Sequence, residues 1–208
     1  SPETYKETMR KAFVIADPDE RRALITAGLQ KTAKELGGQV WHNADLLEEI
    51  NYLVEYPTPL YGRIDEEFLD LPVPAVVTPM RDHQRYYPVR KEDGSLMPYF
   101  LTVRNGGDRA IRNVQIGNER VLRARLDDAK FFFDGDRRKS LEGHREALSR
   151  INYQEGMGTM LDKSDRLVKL VEAIGEDWNF TDTEKADVRR AAYLSKSDLA
   201  TGMVTEFT

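Results

Sequence analysis

The sequence contains no cysteine, which excludes a disulfide scaffold and any metal site built from thiolates. This absence fits a reducing compartment, and we expect a cytoplasmic protein. No run of about 18 apolar residues occurs, so we expect no segment that spans a membrane. Residues 1–11 are charged from the outset and differ from a signal peptide. Because the first residue is not Met, we expect the chain to be part of a longer polypeptide.

The motifs of common catalytic sites are also missing. The three histidines, His42, His83 and His144, are far apart in the sequence, and no His-Asp or H-E-x-x-H motif occurs. There is no G-x-x-x-x-G-K-[ST] phosphate loop and no G-x-S-x-G nucleophile elbow. Acidic runs such as 65–67 are more typical of a solvated helix face than of a catalytic carboxylate pair. The sequence therefore points to no metal site and to no catalytic residue.

The composition is that of a soluble globular protein. The chain has 208 residues, of which 32% are charged and 40% hydrophobic, enough for one large domain or two small ones. Its net charge of −5 argues against a general nucleic-acid coat protein, which would usually be basic.

One stretch, residues 99–133, organises the rest of the chain. Residues 99–104 alternate as a strand does, and an Asp-Gly turn at 93–94 predicts a hairpin with the strand before it. Gly106 and Gly107 then end the strand. A helical stripe of apolar residues follows, formed by Leu122, Leu126, Ala129 and Phe133. We therefore predict an α+β fold, with a mixed α/β part up to about residue 118 and an all-helical part after it.

Arginine is concentrated in the same stretch. Between residues 104 and 125 there are six arginines and only two acids, Asp108 and Glu119. The arginines are Arg104, Arg109, Arg112, Arg120, Arg123 and Arg125. They can contact phosphate groups, because a guanidinium fork matches phosphate oxygens, or they can pair with carboxylates of the chain itself. The helical wheel places Arg120 and Arg123 away from the apolar stripe, so we expect these two to face outward.

A second candidate binding segment is residues 83–87, which combines His83, Arg85 and two tyrosines. Such a group can stack on unpaired bases. Strand alternation, however, would bury one of the two tyrosines, which favours a structural role for this segment.

Several long stretches together carry a family resemblance. They are FVIADPDERRALI (13–25), LLEEINYLVEYPTPLYGRIDEEFLDLP (46–72), MRDHQRYYPV (80–89), GSLMPYFLTVRNGG (94–107), GNERVLRARLDDAKFFF (117–133), YQEGMGTMLDKSDRL (153–167) and AAYLSKSDLATGMVTEF (191–207). In order and content they resemble the β subunit of the bacterial heterotetrameric glycyl-tRNA synthetase.

The resemblance implies a central, non-catalytic fragment of a glycine–tRNA ligase. In that family the α subunit carries the aminoacylation site, with its ATP and Mg, and the β subunit supplies contacts to the glycine tRNA. By resemblance, residues 1–117 correspond to a B3/B4-like module with a helical lead-in, and residues 118–208 to an HD-like helical domain. The candidate tRNA-binding residues are then Arg104, Arg109, Arg112, Arg120, Arg123, His83 and Arg85. We expect no cofactor in the fragment itself.

The resemblance to HD domains does not extend to their metal ligands. Ser195 and Lys196 stand where an HD enzyme has His and Asp. A hydroxyl is a poor ligand for a divalent metal beside an imidazole, and an ammonium repels a cation. We therefore expect no bound metal. Two other functions stay open: a hydrolase, either an HD-type phosphohydrolase or an editing esterase, and a spacer without a ligand.

Overall fold

The computed structural model describes residues 2–206, which form two compact units that divide after Asp128. The helices are α1 (Tyr5–Lys11), α2 (Pro18–Glu35), α3 (Ala44–Leu53), α4 (Val73–Thr78), α5 (Ile111–Asp136), α6 (Leu141–Arg145), α7 (Met160–Asp177), α8 (Asp182–Leu194) and α9 (Gly202–Glu206). The strands are β1 (Gln39–Val40), β2 (Pro57–Arg63), β3 (Tyr87–Arg90), β4 (Leu96–Asn105), β5 (Asn152–Gln154) and β6 (Gly158–Thr159).

The first unit contains an antiparallel sheet of four strands in the order β1-β3-β4-β2. Strand β2 lies at an edge, as its prolines predict, because Pro57 and Pro59 have no N–H to donate to a second neighbour. The predicted hairpin is present between β3 and β4, and Gly94 in its turn has a φ of +86°. This sheet confirms the α+β class predicted from the sequence.

Helices α2 and α3 pack on one face of this sheet. The Asp17 carboxylate accepts from the backbone N–H groups of Asp19 and Glu20 and so begins α2, while Asn43 caps α3. Two glycines, Gly37 and Gly38, follow the end of α2, and the buried stripe of this helix shares a core with residues of α3 and the sheet. That core comprises Ile25, Leu29, Ala33, Val40, Leu46, Ile50, Val54, Tyr87, Val89 and Leu101.

The opposite face carries Phe100, which is fully buried and stacks on Tyr86 with the ring centroids 4.6 Å apart. Gly62 lies directly across from Phe100 in the register of β2 and β4. A Cβ atom on Gly62 would lie 2.1 Å from Cζ of that ring. The missing side chain of Gly62 is therefore what lets the ring lie flat against β2.

Helix α5 begins at Ile111 and runs without a break past residue 118 to Asp136. The predicted apolar stripe is present, because Leu122, Leu126 and Ala129 have no exposed surface. The same helix positions four of the six clustered arginines.

The second unit is mostly helical, but it also contains an antiparallel hairpin of β5 and β6. The expectation of an all-helical second half is therefore wrong. The reason is local: Gly156 and Gly158 have φ values of +74° and +78°, and they turn the chain back on itself before α7 begins. Capping boxes start α7 at Thr159 and α8 at Thr181.

Candidate nucleic-acid interface

The arginine-rich segment starts where β4 ends. Asn105 closes the strand, since its side-chain oxygen accepts from the backbone N–H groups of Glu55 and Tyr56 at 3.0 and 3.1 Å. Gly106 has a φ of +117° and donates its own N–H to the carbonyl of Tyr56. The loop that leads to α5 is thus fixed to the beginning of β2.

The side chain of Arg104 forms a hydrogen bond within this loop. It is half-buried, and its Nη1 donates to the carbonyl oxygen of Arg109 at 2.6 Å. This hydrogen bond ties the end of β4 to the loop just before α5. The side chain of Arg109 itself is exposed.

Both arginines that the helical wheel places outward, Arg120 and Arg123, are exposed, which confirms that expectation. Their pairing differs. The guanidinium of Arg123 forms an ion pair with Asp65. The side chain of Arg120 forms no hydrogen bond or ion pair with any described residue. The two lie about one helical turn apart, and of the two only Arg123 has an ion-pair partner among the described residues.

Arg120 and Arg123 share a cavity of about 310 Å³ with Arg63. Arg63 is at the end of edge strand β2 and pairs with Glu66 at 2.8 Å. Its backbone N–H donates to the carboxylate of Glu119 at 3.0 Å. No local signal in the sequence groups Arg63 with the helix, because only the β2–β4 pairing and this contact bring them together.

Three more arginines of the segment, Arg109, Arg112 and Arg125, are exposed as well. Within residues 2–206 their side chains have no hydrogen-bond or ion-pair partner. Together with Arg120 they present four guanidinium groups that are free to bind an external anion. Arg104 and Arg123, by contrast, already have partners within the chain.

The second candidate segment is arranged differently from the prediction. Tyr86 and Tyr87 are both buried, with exposures of 5% and 1%, so the expectation that only one is buried is wrong. Arg85 has a φ of +57°, which turns the chain just before β3, and Tyr86 therefore lies outside the strand alternation. Burial raises the pKa of Tyr86 to about 12. Neither ring is available to stack on a base.

The remaining members of that segment are His83 and Arg85. Arg85 donates to the carboxylate of Glu49 at 2.8 Å and to the carbonyl of His83 at 3.2 Å. His83 is half-buried at the end of a single π-helical turn, Pro79–His83. Arg85 and the buried tyrosines thus hold the segment against the rest of the first unit, which agrees with the structural role favoured by its sequence.

The segment compared with HD enzymes ends helix α8. Ser195 lies just beyond the helix and donates its hydroxyl to the carbonyl of Ala192 at 2.7 Å, and Lys196 has a φ of +70°. His144 is buried, and its Nε2 lies 3.1 Å from the carbonyl oxygen of Asp136. In the described part of the chain, no three side chains of His, Cys, Asp or Glu come together in a way that could hold a metal ion.

A model of the glycyl-tRNA synthetase β subunit family matches residues 1–208. The chain is 47% identical to the glycine–tRNA ligase β subunits of Halothermothrix orenii and Clostridioides difficile, and 42% identical to that of Bacillus subtilis. Each of these alignments covers 207 residues, which is 100% of this chain and 30% of the relative.

These matches define the class of the chain's family, which comprises subunits named for an aminoacyl-tRNA synthetase. It belongs to the glycyl-tRNA synthetase β subunit family, which confirms the resemblance seen in the sequence. The chain spans about 30% of the length of the curated relatives it matches. Among the residues that the structure describes, no helix has the length and apolar character needed to cross a bilayer.

Proposed function

We propose that this chain serves in a glycine–tRNA ligase, the enzyme that joins glycine to its tRNA at the expense of ATP. Its own contribution is scaffold and contacts to the tRNA backbone, without an active site. The α subunit is its partner, and the ATP and Mg of the reaction belong to that subunit. The proposal places the enzyme in the cytoplasm. Family membership supports the role in a glycine–tRNA ligase, and the exposed arginines support the tRNA contacts.

The observation that carries the tRNA contact is the set of unpaired arginines on α5 and the loop before it. A guanidinium group such as those of Arg109, Arg112, Arg120 and Arg125 can donate two parallel hydrogen bonds to one phosphate. Contacts to backbone phosphates release counterions and supply much of the affinity for nucleic acid. A chain of net charge −5 that holds four unpaired guanidinium groups in one segment is suited to such contacts.

The other candidate residues have weaker claims to direct phosphate contact. Arg104 donates to the carbonyl of Arg109, and Arg85 donates to Glu49. Each of these side chains must give up a hydrogen bond before it can bind a phosphate. We assign Arg104, His83 and Arg85 a structural role in shaping this surface. Arg123 has an intermediate claim to phosphate contact, because a phosphate must compete with Asp65 for its guanidinium.

The proposal also contains a finer division of the chain. Residues 1–117 form a B3/B4-like module, and residues 118–208 form an HD-like domain that has lost its metal chemistry at Ser195 and Lys196. Element analysis of the purified full-length enzyme, together with a phosphodiesterase assay, tests the second part. Stoichiometric metal in the β subunit that is removed together with an activity would contradict it.

The experiment that tests tRNA contact measures tRNA affinity of the full enzyme as a function of salt. In Arg109→Ala, Arg112→Ala and Arg120→Ala, affinity should fall, and the slope of log K against log salt should decrease by roughly one unit each. Arg150→Ala is the matched control, because Arg150 is also exposed but lies outside the segment. If all three variants keep the parental affinity and slope, the arginines have no role in tRNA binding.

A further inference from the structure

A second group of cations lines a pocket in the first unit, on elements other than α5. The pocket has a volume of about 420 Å³ and lies where the end of α2 meets β1 and β3. Lys34 reaches it from the last turn of α2, His42 from the residues after β1, and Arg90 from β3. A pocket of this size is large enough for a small ligand.

The pocket has no negative charge of its own. Its lining contains no Asp or Glu, so far as the structure describes the chain. The side chains of Lys34 and His42 have no hydrogen-bond or ion-pair partner among residues 2–206. One turn earlier on α2, Lys31 does have a carboxylate partner, with its Nζ 3.9 Å from Glu35. Lys34 and Arg90 therefore line a cavity to which no described carboxylate contributes, in a protein that is acidic overall.

The guanidinium of Arg90 is held in place by an aromatic ring. Its central carbon lies 5.7 Å from the centroid of the Trp41 ring, a cation–π contact. Arg90 pairs with Gln39 in the register of β3 and β1. The fold thus orients this side chain, and no described carboxylate pairs with its N–H donors, which leaves them available to an anion.

The pocket lies beside the C-terminal end of α2, where the last carbonyls of a helix carry partial negative charge. The carbonyls of Ala33 and Lys34, which end α2, already accept from the N–H groups of Gly38 and Gly37 at 2.9 and 3.0 Å. Their partial negative charge is thereby reduced. A Cβ on Gly38 would lie 2.6 Å from Cγ1 of Val89 and 3.1 Å from the carbonyl oxygen of Arg90, so glycine allows the chain to pass close to β3 beside the pocket.

We infer that this pocket binds a phosphate group. Lys34 and Arg90 supply the charge, with Arg90 as the pre-oriented fork, and the side-chain amides of Gln30 and Gln39 line the same cavity as additional donors. The phosphate belongs either to an RNA backbone or to a small phosphorylated compound. The pocket shares no residue with the arginine segment of α5. The inference of a phosphate site is therefore independent of whether that segment binds tRNA.

The experiment uses the full-length enzyme and two probes. Radiolabelled inorganic phosphate is measured by equilibrium dialysis, and tRNA is measured by affinity against salt. The test variant is Lys34→Gln combined with Arg90→Gln, and Arg90→Lys is the conservative version that retains a cation. Lys31→Gln is the matched control, because Lys31 lies on the same helix outside the pocket.

The double variant should weaken phosphate binding by roughly tenfold or more, since one hydrogen bond to a charged group accounts for about that factor. Arg90→Lys should keep part of the affinity, and Lys31→Gln all of it. Weaker phosphate binding with unchanged tRNA affinity identifies a small phosphorylated ligand. A loss of tRNA affinity with a shallower salt slope identifies an RNA phosphate. If the double variant changes neither, the pocket is not a phosphate site.

If the double variant unfolds more easily than the parent, Lys34→Gln alone replaces it. Lys34 is exposed at the end of a helix and has no side-chain partner among the described residues, so this change should leave stability intact. Lys34→Gln should still weaken phosphate or tRNA binding several-fold relative to Lys31→Gln. Equal binding by these two single variants would overturn the inference.

Discussion

Gly62 offers a sharp test of how the first unit is packed. In Gly62→Ala the new Cβ would lie 2.1 Å from Cζ and 2.5 Å from Cε1 of Phe100. Phe100 cannot move outward, because it has no exposed surface and stacks on Tyr86. The φ of Gly62 is not positive, so the backbone itself accepts alanine and the effect is purely steric. Overpacking of this kind costs about 1–3 kcal/mol, and the confined ring argues for the upper half of that range.

The same substitution elsewhere should have the opposite sign. Gly117 lies within α5 and is exposed, and no atom lies within 4 Å of the position that a Cβ would take there. Gly117→Ala therefore introduces no clash. Its effect is that the unfolded chain loses the extra backbone freedom of glycine, which is also why glycine is a poor helix former. That change should stabilise the protein by about 0.5–1 kcal/mol.

Tryptophan fluorescence during urea unfolding measures the change in unfolding free energy for both variants, because Gly62 and Gly117 both lie in the first unit. Trp41 lies in the first unit and Trp178, which is 72% exposed, lies in the second. A Trp178→Phe background therefore reports the unfolding of the first unit through Trp41 alone. The urea midpoint should fall for Gly62→Ala and rise for Gly117→Ala, at an unchanged m-value. A midpoint for Gly62→Ala at or above that of the parent would refute the packing argument.

Two further predictions concern the second unit. Arg145→Met should lower its stability by about 1–3 kcal/mol, measured through Trp178 fluorescence in urea, because the nearly buried guanidinium donates to the carbonyl of Tyr193 at 2.8 Å and lies over its ring. Glu184→Gln should lower stability at neutral pH but not in acid. The hydrogen bonds from Thr181 hold the pKa of Glu184 below its usual value, so its contribution is present above about pH 4.5 and is lost as the pH falls through the folded pKa. A difference between variant and parent that persists at low pH would contradict this reasoning.

Local signals in the sequence predicted the helices of the first unit well. The caps at Asp17 and Asn43, the stripe of α2 and the edge position of β2 all follow from residue types at fixed spacing. The hairpin of β5 and β6 could not be predicted in this way, because strands of three and two residues are too short to show alternation. Its existence depends on the two glycine turns and on pairing across them, which composition does not reveal.

The arginine segment shows a different limit of sequence reasoning. Its charge and the outward direction of Arg120 and Arg123 could be predicted from the helical period. Which arginine is paired could not, since the partner of Arg123 is Asp65, separated from it by 58 residues. Only the fold of the first unit brings that carboxylate to α5. The fold therefore decides which of the clustered arginines have a partner among the described residues and which have none.

This division leads to a prediction about Asp65. An exposed ion pair contributes only about 0–1 kcal/mol to stability, and the side chains of Arg123 and Asp65 are 58% and 42% exposed. Asp65→Asn should therefore leave the fold intact, while it frees Arg123 and removes a negative charge from the cavity that also contains Arg120. If phosphates approach this surface, the tRNA affinity of the full enzyme should rise, and the salt slope should steepen by up to roughly one unit.

Asp187→Asn is the control for that measurement, since it removes one exposed carboxylate from α8 and leaves α5 unchanged. It should alter tRNA affinity less than Asp65→Asn does, because only the latter releases a guanidinium. Combining Asp65→Asn with Arg123→Ala should cancel the gain that comes from Arg123 itself, and any gain that remains measures the repulsion between Asp65 and the phosphate. Equal affinities for Asp65→Asn, Asp187→Asn and the parent would mean that the ion pair of Arg123 is structural and that tRNA does not approach this side of α5.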